Sequence, residues 1–250
     1  MTFSKLSEKI DLAITEFHSK LNESLDSFMI TSGLKHFSSA NIKDLNADDF
    51  KQIGEHVGEN GWVVPADFLS MPFGLIQKIY SKINKNDLDE AMTKYFEQNI
   101  AEIMQKFENT TLDNHTKELL LQSYGAFNTG FFHPAITSLT AIADGLLDES
   151  LKDWDCTKTQ FIVRADKLND EQEHIGYTGL YNFVVMVSLQ KFTETYMQDA
   201  RFNKPEPNIY NRHWVMHGRG KRPLTKKDYF QIFSFINALI FIFFRAELEE

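Results

Sequence analysis

Cysteine is almost absent from this 250-residue chain, which carries one, Cys156. A lone thiol can neither close an internal disulfide nor furnish a cysteine-rich zinc site, so a disulfide-stapled secreted scaffold is excluded and a reducing compartment, the cytoplasm, is expected. Turn formers are also scarce, with six prolines and twelve glycines. That suits helices better than a turn-rich sandwich. The N-terminal "MTFSKLSEKIDLAITEF" is charged throughout, with no apolar core of signal-peptide length. The C-terminal "YFQIFSFINALIFIFFR" is strongly apolar, yet its apolar run falls short of the ~20 residues that a bilayer span requires. Gln231, Ser234 and Asn237 recur every three residues along it. A narrow polar stripe on an otherwise apolar helix predicts a central helix packed by neighbours or by a second subunit, and no membrane partner. Internal repeats and low-complexity tracts are lacking as well, which removes solenoid architectures.

What is present is helical spacing in a chain that is 42% hydrophobic and 24% charged, enough for a real core. Leu6, Ile10, Ile14, Phe17, Leu21, Leu25 and Phe28 fall at steps of three and four, as in an amphipathic helix. Residues 31–74 are punctuated by Gly33, Gly54, Gly58, Gly61, Pro65, Pro72 and Gly74. Short helices and turns are expected there, with "GWVVP" as an extended piece and Trp62 as a packing anchor. Helical spacing returns over 75–109 and again after 110. Pro134 opens a further helix, tolerated in a first turn because its missing N–H would be unpaired anyway, and Asp144 interrupts that helix's apolar run. The segment 176–200 is long enough to read as helix despite its valines. The expected fold is all-α: a smaller, mostly helical N-terminal region over 1–110, then a helical bundle over 111–250.

Positive charge is scarce overall and concentrated locally. The net charge is −9, but residues 208–227 hold Arg212, Arg219, Lys221, Arg222, Lys226 and Lys227 with no acidic residue, so they carry +6 and the rest of the chain −15. A polyanion would be drawn to this patch and repelled elsewhere, with marked salt dependence. The plain alternative is a basic loop that pairs with acidic neighbours. The pattern in "NIYNRHWVMH" looks helical, Gly218 is placed to end it, and Pro223 blocks continuation. Thr225 with Asp228 three residues on forms a capping-box variant for the terminal helix.

His213 and His217 lie four apart on one helical face, the spacing of a zinc pair, but no third ligand is evident nearby. Arg212 with His217 is a different pairing. Imidazole moves protons near neutrality, and a permanently charged, forked guanidinium suits a phosphate whose charge is growing. Together they are the minimum kit for cutting RNA without a metal or other cofactor.

The run "NRHWVMHG", with Arg212 and His217 separated by four residues and a polar His213 after the Arg, resembles the nuclease branch of the HEPN superfamily. "YGAFNTGFFHPAITSLTAIADGLLDE" is similar to the paired helices that precede the motif in such proteins, and "GWVVP" to an element of their N-terminal regions. The resemblance implies a helical bundle that forms a homodimer and joins two motifs in one cleft. It implies His217 as the acid/base residue, Arg212 as phosphate stabiliser, Asn211 and His213 in supporting roles and Asp144 as the acidic residue on a neighbouring helix. RNA would be cut to a 2′,3′-cyclic phosphate, in a toxin or anti-phage effector held by an antitoxin or regulatory partner. Arg219, Lys221, Arg222, Lys226 and Lys227 would guide the RNA by charge. The competing class is a non-catalytic helical module that binds a nucleotide, RNA or a protein. In structural terms, His217 could cap helix carbonyls and Arg212 could serve as an ion-pair partner.

Overall fold

The apolar C-terminal segment has no polar face to offer water, and it becomes the centre of the molecule. In the computed structural model, which describes residues 47–65, 85–152, 177–196, 202–203, 205–206 and 210–244, it is buried continuously from Asp228 to Ile240. The described residues form seven helices and no strand, so the fold is all-α as expected. In chain order they are α1 (Ala47–Glu59), α2 (Lys85–Glu108), α3 (Asn114–Asn128), α4 (Phe132–Lys152), α5 (Tyr177–Tyr196), the one-turn α6 (Arg212–Met216) and α7 (Lys226–Phe243). The amphipathic helix expected over residues 6–28 lies outside the described residues. Among the described residues no helix is long and apolar enough to cross a membrane.

Around α7 pack α2, α4 and α5, while α3 pairs with α4 and α1 with α5. Aromatic rings fill the seams. Phe96 of α2 meets Phe230 and Phe233 of α7 at 6.0 and 5.9 Å, and Phe127 of α3 stacks on Tyr229 at 4.2 Å. The boundary expected near residue 110 falls between α2 and α3. Side chains from both sides of it enter one hydrophobic core.

Two of the three residues of the polar stripe on α7, Gln231 and Ser234, are explained by what they hold. Residues 62–65 run without regular structure and are fully buried, so their backbone N–H groups need partners that no sheet supplies. Val63 N–H donates to Ser234 Oγ (3.1 Å) and Val64 N–H to Ser188 Oγ on α5 (3.0 Å). Gln231 Nε2 donates to the Asn60 carbonyl (3.3 Å). The stripe thus grips an extended segment of the same chain. Trp62 is the anchor expected of it: the ring is fully buried against Phe96, and Nε1 donates to Asp89 Oδ1 at 2.8 Å.

Two glycines of the N-terminal region differ from their expected role. Gly61 has φ 81° and ends a turn, but Gly54 and Gly58 sit inside α1. A Cβ on Gly54 would lie 2.8 Å from Val187 Cβ, and one on Gly58 would lie 2.4 Å from Lys191 Cβ and 2.8 Å from the Ser188 carbonyl. Four residues apart, they open one face of α1 so that the α5 backbone can approach. Gly58→Ala is therefore expected to lower stability by about 1–3 kcal/mol, as overpacking does. Gly145 on α4 is the internal control, because a Cβ there meets nothing within 4 Å. Gly145→Ala should raise stability by roughly 0.5–1 kcal/mol through helix propensity. Urea unfolding of the two variants should show opposite signs; equal shifts would remove the close-packing account.

Candidate functional site

The sequence pattern predicts a helix over residues 208–217; residues 208 and 209 lie outside the described residues, and from Tyr210 on only the single turn α6 forms. Asn211 is the reason. Its backbone is extended (φ −137°, ψ 123°) and its side chain accepts the His213 N–H at 3.0 Å, the hydrogen bond of an N-cap. The other end closes at Gly218, whose φ of 61° is left-handed. There Gly218 N–H donates to the Val215 carbonyl (3.1 Å) and Arg219 N–H to the Trp214 carbonyl (2.9 Å), the double bond of a Schellman turn. His217 N–H takes the His213 carbonyl at 3.1 Å. The last carbonyls of α6 are thus met by backbone, and the exposed His217 ring is not needed as their cap.

Arg212 turns inward. Its Nη1 lies 2.7 Å from both oxygens of Asp144 on α4, and its guanidinium carbon sits 5.7 Å from the centre of the Tyr196 ring on α5. Asp144 does interrupt the apolar run of α4, and Thr140 lies one turn before it on the same face. The Tyr196 hydroxyl is 3.2 Å from both Asp144 Oδ1 and the Thr140 carbonyl, while Thr140 Oγ1 bonds the Tyr210 hydroxyl. Burial raises the pKa of both tyrosines, with Asp144's charge adding to the effect, so both hydroxyls stay protonated as hydrogen-bond donors. Thr140, Tyr196 and Tyr210 are the members of this network that sequence reading missed. The available signal was a Thr and an Asp four apart on an apolar helix.

Two edges of the Arg212 guanidinium are treated differently. Nη1 is committed to Asp144, whereas Nε is enclosed with no hydrogen-bond partner among the described residues. The Nε–Nη2 edge, which fits two oxygens of a carboxylate or phosphate, is left without a protein acceptor among those residues.

His213 and His217 stand side by side, with ring centroids 6.0 Å apart and planes within 5°. Among the described residues no third metal-ligating side chain joins them. Phe202 meets the His217 ring edge-on at 5.7 Å and the Trp214 ring at 5.2 Å. The structure therefore brings together Arg212 with Asp144, and His217 with His213. Arg212 opens α6, and His217 follows its last residue as the C-cap.

The basic run divides. Lys226 pairs with Glu97 (2.6 Å) and Lys227 with Asp89 (3.1 Å), both on α2. Arg222 makes a two-pronged pair with Asp228, at 2.6 and 2.9 Å, and its Nε approaches Glu206 at 3.5 Å. Glu206 Oε2 also accepts the backbone N–H groups of Lys221 (2.7 Å) and Arg222 (3.2 Å), drawing the loop down. Burial alone would raise the Asp228 pKa; hydrogen bonds from Arg222 and Thr225 and the guanidinium charge outweigh it and hold the carboxyl below its ordinary value. The Thr225 backbone N–H and hydroxyl each donate to Asp228 Oδ2 at 2.8 Å, so the expected capping residues do meet. Of the five expected RNA contacts, Arg222, Lys226 and Lys227 face carboxylates. Arg219 and Lys221 are exposed and have no acidic side-chain partner among the described residues.

Comparison of the chain with protein-family models, with curated proteins and with solved structures gives no match, so any function must be argued from these residues and their geometry.

Proposed function

We propose that the chain is a metal-independent endoribonuclease of the HEPN type, acting as a homodimer in the cytoplasm. The observation that supports it best is the Arg212 guanidinium, oriented by Asp144 through one nitrogen while its Nε–Nη2 edge has no acceptor among the described residues. An arginine held this way has its orientation fixed, and with Nε shut off from solvent a phosphate would meet it through Nη2. The adjacent turn presents His217 to solvent beside His213, with Arg219 and Lys221 exposed just after it.

In the proposed reaction His217 takes the proton of a ribose 2′-hydroxyl, whose oxygen attacks the neighbouring phosphorus. The bond to the 5′-oxygen breaks, that oxygen is protonated, and the products are a 2′,3′-cyclic phosphate and a 5′-hydroxyl. Arg212 steadies the charge on the non-bridging oxygens. In this scheme Arg212 and His217 of one subunit face those of a second across a shared cleft. Asn211 shapes the turn as its N-cap, and His213 supports His217.

A second reading, a helical module that binds RNA without cutting it, is favoured by the charge match between Arg212 and Asp144. One experiment separates the two. Mixed RNA incubated with the protein in EDTA should yield ends bearing cyclic phosphate, and His217→Ala should not produce them. Binding without cleavage would select the second reading.

A further inference from the structure

We propose that Phe202, with Arg219 and Lys221, forms a platform on which an unpaired nucleobase stacks while its flanking phosphates meet the two cations. Four large apolar side chains stand out as exposed among the described residues; Met216 (45% exposed) lies within the motif and Phe202 (41%) packs against it. The Trp214 and His217 rings pack against Phe202 at interplanar angles of 75° and 81°, and Arg219 lies over one face of its ring at 5.5 Å, so a base would stack on the other face. An aromatic ring fixed in orientation but left open to water is a stacking surface. The occupant is selected by charge: Arg219 and Lys221 stand exposed in a chain of net charge −9, with no acidic side-chain partner among the described residues. The ligand therefore combines a flat apolar face with negative charge. A single strand of nucleic acid has both, whereas a duplex hides its base faces in its own stack.

This deepens the proposed function by naming a single-stranded substrate, and it is testable apart from cleavage. Binding of a fluorescein-labelled 2′-O-methyl oligouridine, which has no free 2′-hydroxyl to attack, is followed by anisotropy beside the matching deoxy strand and an RNA duplex. Phe202→Ala is expected to weaken both single strands by about tenfold or more. Duplex binding and the melting temperature should be unchanged, and Phe202→Tyr should bind as wild type does. The salt slope should stay the same in Phe202→Ala and fall by roughly 0.7–1 in Lys221→Gln. Wild-type affinity in Phe202→Ala, a wild-type preference for duplex, or no binding of either strand would each overturn the platform. Unmodified RNA and deoxy strand are assayed in parallel for cleavage, which should occur in the RNA alone. If cleavage fails while Phe202-dependent binding persists, the nuclease reading is lost and the platform stands.

Discussion

His217→Ala is expected to slow RNA cleavage by about 10²–10⁴-fold, the usual contribution of a positioned acid/base group, without changing the melting temperature. The imidazole is exposed, and backbone N–H groups already satisfy the carbonyls around it, so truncation removes chemistry and little structure. Arg212→Ala should behave differently. It removes the guanidinium proposed to meet the phosphate and also the two hydrogen bonds that it makes to Asp144, in a site where the two side chains are 18% and 27% exposed. A loss of roughly 1–2 kcal/mol should accompany the loss of cleavage, discounted from the fully buried case for this exposure. Adding Asp144→Ala should restore part of the stability, since the carboxylate has gone but the Tyr196 hydroxyl loses an acceptor, and none of the activity. Cleavage that persists in the double variant would take Arg212 out of the mechanism. If each cleft draws on both subunits, mixing the Arg212→Ala and His217→Ala proteins should recover part of the activity.

Arg222→Met should lower stability by about 3 kcal/mol, the scale for stranding a buried charge, although by sequence Arg222 belongs to the basic loop. Its partner Asp228 has a side chain only 1% exposed at the start of the central helix. Without the guanidinium, the carboxylate retains the Thr225 N–H and hydroxyl as its donors among the described residues. The pH dependence follows from the direction of the shift. The folded-state pKa of Asp228 lies below the ordinary 3.8, so its stabilising contribution is complete above that value and is lost as pH falls through the depressed one. In Arg222→Met, burial is no longer outweighed to the same extent. The carboxyl should then titrate higher, and acid destabilisation should begin at higher pH than in wild type. Urea unfolding across the acidic range measures both effects. An Arg222→Met protein as stable as wild type, with weakened RNA binding, would return Arg222 to the surface role.

Much of the fold was legible because helical period and burial leave marks in a linear sequence. Helix α7 was recognisable as a central helix from its apolar run and narrow polar stripe, Thr225 with Asp228 marked its start, and Asp144 marked a break in the apolar run of α4. Other features depended on distance in space. Gly54 and Gly58 read as punctuation because a glycine that breaks a helix and one that lets a neighbour approach are the same letter. Only the position of Val187 and Lys191 on α5 separates them. The polar stripe implied some packing partner, and only the fold identified the backbone of Asn60 and Val63 as that partner.

The site divides in the same way. The sequence by itself determined that α7 must be buried, that positive charge is gathered at 208–227, and that an Arg and a His stand five apart there. Those are properties of order and composition. Only the tertiary structure decided which of these charges are spoken for. Arg212 meets Asp144 across 68 positions and Lys226 meets Glu97 across 129, while Arg219 and Lys221 are left facing solvent. Ion pairing depends on a few ångströms of separation in space, and a chain's sequence does not carry that distance until it folds.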